Sequence, residues 1–507
     1  MPEKDRFLGV EFGSTRIKAV AIDGGRLPVA SGDYIWAARH ENGVWTYPLE
    51  QVWEGLRTAL AAVEGRERIA AMGVSAMMHG YLAFDRDWNL LVPFRTWQNT
   101  MTGQAAAMLT DLFGFNIPQR WSIAHLCQAV MNGEEHVPRI AHITTLAGYV
   151  HYMLTGVNAV GVGEASGIMP LGPDLGYDKE MIAKFDVFAS MMGVPWSVAD
   201  LLPGILSAGE NAGYLTESGS ELLGGLLAPG VAFAPCEGDA GTGMVATNAV
   251  APRTGNVSAG TSIFSMIVLE RPLKRVYPEV GVVATPSGSP VAMVHCSNCT
   301  SDINGWAALI REAVGLFGGD AEELYTKLFL KSLEGDPDCG GLLFYNYLTG
   351  ESVTHFDDGR PLFLRAPDAS FSLANFMRAM LYSSMATLRT GMELLSEEGV
   401  AIDSLTGHGG LFKTPGVAQR FLAAACRAPV TFLETAGEGG PYGMALLSAY
   451  MMQKAPGQTL EAFLAEHFAS AKSVTLAPDE RDAAGFDAYL EKFKKGLAVE
   501  RSAVENL

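Results

Sequence analysis

Residues 231–264 read VAFAPCEGDAGTGMVATNAVAPRTGNVSAGTSIF. An apolar run, 231–234, leads into a glycine-rich turn, Glu237-Gly238-Asp239-Ala240-Gly241. A short helical run follows, then a second small-residue turn, Ser258-Ala259-Gly260-Thr261-Ser262, and a second apolar run, 263–269. Asp239 reads as a lone acid on a tight turn beside a hydroxyl-and-glycine hairpin. That pairing suits phosphate chemistry: the acid takes a proton or holds a metal, and bare backbone N–H groups face phosphate oxygens. The plainer alternative is an ordinary loop with an aspartate capping a helix. The rest of the chain decides between them.

Residues 8–21, LGVEFGSTRIKAVA, repeat the layout of the second turn. Two apolar runs flank Gly13-Ser14-Thr15, with Glu11 just before the turn and Lys18 just after it, which predicts a strand, a tight turn and a returning strand. Residues 255–269 carry the same order around Gly260-Thr261-Ser262. Two such hairpins, one opening each half, read as a duplicated domain. Facing halves would grip one polyphosphate from two sides and close on an acceptor.

A chain of 507 residues is too long for one core, which favours two large domains. The net charge of −19 argues against nucleic acid or an anionic membrane as the main partner. The N-terminal sequence has no signal-peptide pattern, and no apolar run approaches a membrane span. Six cysteines fit a reducing cytoplasm rather than a disulfide framework. Cys296 and Cys299 have C-x-x-C spacing, but no second pair completes a zinc site, so buried thiols are expected.

Further along, residues 48–63 predict a helix with Pro48 in its first turn and Val52, Leu56, Leu60 and Val63 on one face. Residues 69–75 predict a strand ending at Met77-Met78-His79-Gly80, and 94–100, FRTWQNT, a polar-aromatic loop. His79 or Trp97 alone would be an ordinary core residue; together they line a polar pocket. Residues 160–170 read as a small-residue loop carrying Glu164. Residues 281–298 predict strands, and 372–395 a long helix with a Ser start and Gly399 as its stop. Residues 404–434 predict a strand, the turn Gly407-His408-Gly409-Gly410, a helix opened by Thr414 and Pro415, and a strand at 430–433. Glu438-Gly439-Gly440 supplies another glycine turn. Phe486, Tyr489, Leu490, Phe493 and Leu497 mark an amphipathic closing helix.

These motifs, in this order, resemble the FGGY carbohydrate kinases of the actin-like ATPase superfold, nearest to the xylulokinase branch. GVEFGSTRIKAV is similar to that family's first phosphate motif, MMHGYLAFD to its sugar-site segment, EGDAGTG to the segment of its catalytic aspartate and VSAGTS to its second phosphate motif. YLTGE, GHGG and EGGPYGMALLSAY resemble the late motifs, the last two around the adenosine site. The chain departs from the family at Glu11, where the family has Asp. It departs again at Trp97-Gln98-Asn99, where the family has Trp-Asn-Asp, and over 364–381, where a glycine signature is poorly kept.

The resemblance implies an α/β fold of two duplicated actin-like ATPase (ribonuclease H-like) domains flanking a nucleotide and sugar cleft. It implies an N-terminal domain over 1–248, a C-terminal domain over 249–475 and a closing helix over 476–507. The implied activity is an ATP-dependent ketose kinase acting on a pentulose, D-xylulose or L-ribulose, in the cytoplasm, with Mg²⁺, and compatible with a homodimer. The implied roles are Asp239 as base and Gly13, Ser14, Thr15, Lys18, Gly260, Thr261 and Ser262 for the ATP phosphates. Gly409, Gly410, Glu438 and Gly439 fall to adenosine, Met78, His79, Trp97, Asn99 and Asp239 to the sugar, and Glu11 with Asp239 to the metal. Two competing readings share the fold: a non-catalytic nucleotide-binding regulator, which Glu11 favours, and a chaperone or filament protein, which the MMHGY segment disfavours.

Overall fold

The computed structural model describes residues 4–319 and 321–507. The chain forms two compact units that are discontinuous in sequence: residues 1–250, 281–291 and 438–470 make the first, and 251–280, 292–437 and 471–507 the second.

In the first unit the apolar runs form β1 (Arg6–Phe12) and β2 (Arg16–Ile22), and β3 (Pro28–Ile35) continues the meander. β4 (Ile69–Ala76) follows the helix Leu49–Ala61, and β5 (Ala232–Phe233) and β6 (Glu237–Gly238) come from the decisive stretch. The sheet order is β5-β4-β1-β2-β3, with β6 also on β4. β1 and β2 are antiparallel, whereas β1, β5 and β6 each run parallel to β4. Val52, Leu56 and Leu60 of the first helix are buried in the core of this unit, as their spacing predicts. The helix Gly440–Gln453 lies so close to β1 that a Cβ at Gly9 would strike Pro441 and Ala445, and one at Gly443 would strike Thr242. Glycine at both positions permits the approach. This packing brings the turn at Glu438 and Gly439 to the end of β1.

The second unit repeats the pattern. β7 (Thr254–Ala259) and β8 (Ile263–Val268) form an antiparallel hairpin. With β9 (Pro290–Cys296), β10 (Ser404–His408), β11 (Val430–Leu433) and β12 (Ser473–Leu476), the order is β9-β8-β7-β10-β11-β12. β10 is parallel to both β7 and β11. A hairpin whose first strand takes a parallel neighbour is thus common to both sheets, and the fold is the duplicated α/β arrangement the sequence implies. The long helix Leu373–Glu397 starts at Ser372, whose hydroxyl accepts the Asn375 N–H, and is followed by Gly399 at φ +74°. Phe486, Tyr489, Leu490 and Phe493 of the closing helix Glu480–Asn506 are buried in this core.

Two local expectations are corrected. Thr414 and Pro415 do not open the helix after Gly410: the helix is Val417–Cys426, and Gly416 at φ +80° makes the turn into it, a conformation a proline-led start does not need. Residues 160–170 are not a plain loop, because Ala159–Gly161 is a strand and Val162–Ala165 a helical turn. All six cysteines are free and buried, Cys296 and Cys299 among them. Among the described residues, no helix is long and apolar enough to cross a membrane.

Candidate active site

The first hairpin turn is fastened by aromatic side chains. Trp36 Nε1 donates to the Gly13 carbonyl at 2.7 Å, and the Tyr47 hydroxyl to the Ser14 carbonyl at 2.7 Å. The Trp36 N–H takes the Thr15 carbonyl at 3.2 Å. A trans peptide sends its N–H away from its C=O. The N–H groups of Ser14 and Thr15 therefore point away from the aromatic wall. Trp97, 37% exposed, reaches the same turn, its Nε1 3.3 Å from Ser14 Oγ.

The second turn is fastened by the start of a helix instead. The N–H and hydroxyl of Thr300 reach the Gly260 carbonyl at 3.1 and 2.7 Å, and the Cys299 N–H the Thr261 carbonyl at 2.9 Å. By the same geometry the N–H groups of Thr261 and Ser262 point away from the helix that starts at Thr300. Gly409, at φ +98°, passes so close to Ala259 that a Cβ there would meet its carbonyl at 2.5 Å. Gly260, Thr261, Ser262, Gly409 and Gly410 are thereby gathered in one region of the second unit.

Asp239 is the first residue of the helix Asp239–Ala246, so its carboxylate meets the positive end of a helix dipole. Its Oδ1 accepts the N–H groups of Met78 at 3.1 Å and Ala240 at 2.9 Å. Burial raises its pKa, and these hydrogen bonds pull the other way. Glu11 is pushed up to about 8, first by burial and then by the charge of Asp239, against the opposing pull of Lys18. Glu11 and Lys18 are cross-strand partners in register. A Cβ at Gly440 would collide with the Glu11 carboxylate, which places that acid at the start of the helix Gly440–Gln453.

Asp239 is not a lone acid. Glu237, fully buried, accepts the N–H groups of Gly163 at 3.3 Å and Glu164 at 2.8 Å. Burial pushes it up to about 8. Glu164, fully buried, is raised well above the usual carboxylate range by burial; the Thr145 hydroxyl opposes this, and the charges of Glu237 and Asp239 add to it. The sequence offers one signal for this group, the spacing of Glu237 two residues before Asp239.

His79 is buried, at φ +73°, with Nδ1 3.1 Å from the Gly167 carbonyl and its ring stacked on Trp121. A carbonyl only accepts, so Nδ1 carries the proton and Nε2 is an acceptor. Burial and then the neighbouring Arg120 charge lower its pKa to about 3, which keeps the ring neutral. Met78 lies beside it, its side chain against Gly167 and Gly238.

Two expected ligand contacts are already spent within the chain. Asn99, 3% exposed, accepts the Trp45 N–H at 2.8 Å and donates to the carbonyls of Trp45 at 2.8 Å and Thr96 at 3.0 Å. It braces the Trp97 loop. The Glu438 carboxylate accepts Lys18 Nζ at 2.8 Å, and the Glu438 carbonyl accepts it at 3.2 Å. Glu438 and Gly439 belong to the first unit, beside Glu11 and Lys18.

Among the described residues, no group of three or more His, Cys, Asp or Glu side chains is arranged to hold a metal. The charge of Asp239 nonetheless raises Glu11, and a pair of acids of this kind has the donor chemistry of a divalent-cation site.

Residues 6–246 match the FGGY family of carbohydrate kinases, N-terminal domain, and residues 255–452 match the C-terminal domain of the same family. A xylulose kinase of Haemophilus influenzae is 22% identical over 430 residues, covering 80% of this chain and 82% of that protein. A solved ligand-bound xylulose kinase from Lactobacillus acidophilus superposes with a TM-score of 0.81 at 17% identity, over 98% of this chain and 99% of that one. A solved gluconate kinase from the same organism gives a TM-score of 0.81 at 17% identity, over 98% of each chain. The fold is thus shared by kinases of different sugars, and the matched domains span both units. The chain belongs to the FGGY family of carbohydrate kinases and is an ATP-dependent sugar kinase.

Proposed function

We propose that this kinase phosphorylates a ketose, a pentulose such as D-xylulose or L-ribulose, with MgATP as donor. The observation that carries the reading is Asp239. A carboxylate of raised pKa, its Oδ1 fixed by the Met78 N–H beside the neutral imidazole of His79, is a base next to a hydroxyl-binding surface.

In this mechanism Asp239 accepts the proton of the sugar hydroxyl as that oxygen attacks the γ-phosphorus, and the bond from that phosphorus to the β,γ-bridging oxygen breaks, releasing ADP. His79 Nε2 accepts a hydrogen bond from a second hydroxyl. Met78 and the Trp97 indole flank the carbon chain, and Asn99 acts by holding the Trp97 loop. Phosphoryl transfer needs positioning and charge stabilisation more than covalent help. The outward N–H groups after Gly13 and Gly260, the hydroxyls of Ser14, Thr15, Thr261 and Ser262, and Lys18 supply them for the β- and γ-phosphates. Gly409, Gly410 and Gly439, with the backbone at Glu438, let main chain approach adenosine. Glu11 and Asp239 would hold Mg²⁺, which would supply charge neutralisation at the phosphates. Buried free thiols support a reducing, cytoplasmic setting.

The test is phosphorus NMR of the protein with MgATP and each of a panel of ketoses, aldonates and glycerol. A sugar phosphate ester is expected with a pentulose. Esters formed only with aldonates or glycerol overturn the pentulose assignment, and ADP without any ester overturns kinase action on these acceptors.

A further inference from the structure

Lys18 lies between two carboxylates. Glu11 stands opposite it on β1, while Glu438 holds it from the turn before the helix Gly440–Gln453, through two hydrogen bonds at 2.8 and 3.2 Å. The pair is accessible, with side chains 24% and 37% exposed. An ion pair this open to water is held weakly and exchanges partners readily. The Lys18 ammonium has three N–H donors, and Glu438 takes two of its directions.

We propose that Glu438 is a positioning residue that holds Lys18 off the nucleotide until a phosphate displaces its carboxylate. The inference rests on the reading that Lys18 meets an ATP phosphate, and it gives the Glu438 side chain a role other than contact with adenosine. The polyphosphate and the Glu438 carboxylate are rival anions for one ammonium. Binding of the nucleotide then frees the turn at residues 438–439, and an empty site keeps its cation neutralised.

Isothermal titration of MgATP into the full chain tests this in four proteins: wild type, Glu438→Gln, Lys18→Ala and the double variant. Removing the rival charge should tighten MgATP binding about three- to fivefold in the wild-type background and change nothing in the Lys18→Ala background, since the effect runs through Lys18. Glu438→Asp should restore the wild-type constant within about twofold. In turnover, Glu438→Gln should lower KM for ATP in the wild-type background and leave it unmoved in the Lys18→Ala background, a dependence that a merely structural role would not give. Equal weakening by Glu438→Gln in both backgrounds means that Glu438 touches the nucleotide itself, and overturns the inference while leaving the kinase reading intact. Wild-type protein that binds no MgATP overturns the reading on which it rests.

Discussion

The two hairpin turns share a sequence layout and differ in what fastens them. Gly13-Ser14-Thr15 is tied by Trp36 and Tyr47 and touched by Trp97, and Lys18 follows it on β2. Gly260-Thr261-Ser262 is tied by the backbone of Cys299 and Thr300 and by the Thr300 hydroxyl, and is followed by Ser265 in the matching place. Both arrangements leave the same peptide N–H groups outward. Only the first adds a cation and a link to the expected sugar loop. The two hairpins therefore share a backbone layout and differ in side chains, the first carrying a cation and an aromatic contact that the second lacks. Substitutions in the first unit should accordingly cost more than their counterparts in the second.

The largest effect is expected at Asp239. Asp239→Asn should lower kcat about 10²–10⁴-fold, the usual loss for a general base, with the Kd for MgATP little changed. Steady-state kinetics and titration calorimetry check it, and a kcat near wild type would remove Asp239 from the mechanism. Next come the two hairpins compared directly. Lys18→Ala should raise KM for MgATP about 10–100-fold, because it deletes a charged hydrogen bond. Thr261→Ala should raise it only about two- to tenfold, because it deletes a neutral hydroxyl and keeps the backbone N–H. Equal effects would erase the asymmetry. Tyr47→Phe removes the fastener of Ser14 alone, and KM for MgATP should rise about two- to fivefold. No change there would mean that Trp36 suffices to shape the turn.

The smallest effect concerns stability. Glu237 titrates near 8 in the folded chain, against 4.5 for the ordinary group. Between those values the folded state binds more protons than the unfolded one, so this group's contribution is full below 4.5 and is lost as pH rises through 8. Glu237→Gln, which needs no proton to stay neutral, should melt about 1–3 °C above wild type at pH 8, with the gap closing toward pH 5. Melting curves across that range check it. A gap that widens toward low pH would mean that Glu237 is ionised in the folded protein.

The hairpins were legible because strand, turn and strand lie within about fifteen residues and the apolar pattern needs no distant partner. The same holds for the helix Leu373–Glu397, with its Ser start and the glycine after it. What stayed hidden is long-range. Lys18 meets Glu438 across 420 residues, and Glu237 meets the Glu164 N–H across 73. No local pattern reports such pairs. The family resemblance casts Asn99 as a ligand residue, but burial obliges its amide to find partners, and the backbone of Trp45 provides them. Thr414-Pro415 has the composition of a helix start, yet Gly416 supplies the turn and moves the start to Val417.

The central claim is that phosphoryl transfer from ATP waits for a sugar hydroxyl at Asp239. ADP release by the intact chain saturated with MgATP, timed before and after addition of D-xylulose, L-ribulose and related ketoses, tests it most directly. The account predicts slow release without sugar and a rise of at least about tenfold with one pentulose. One unchanged rate across the whole panel would contradict it.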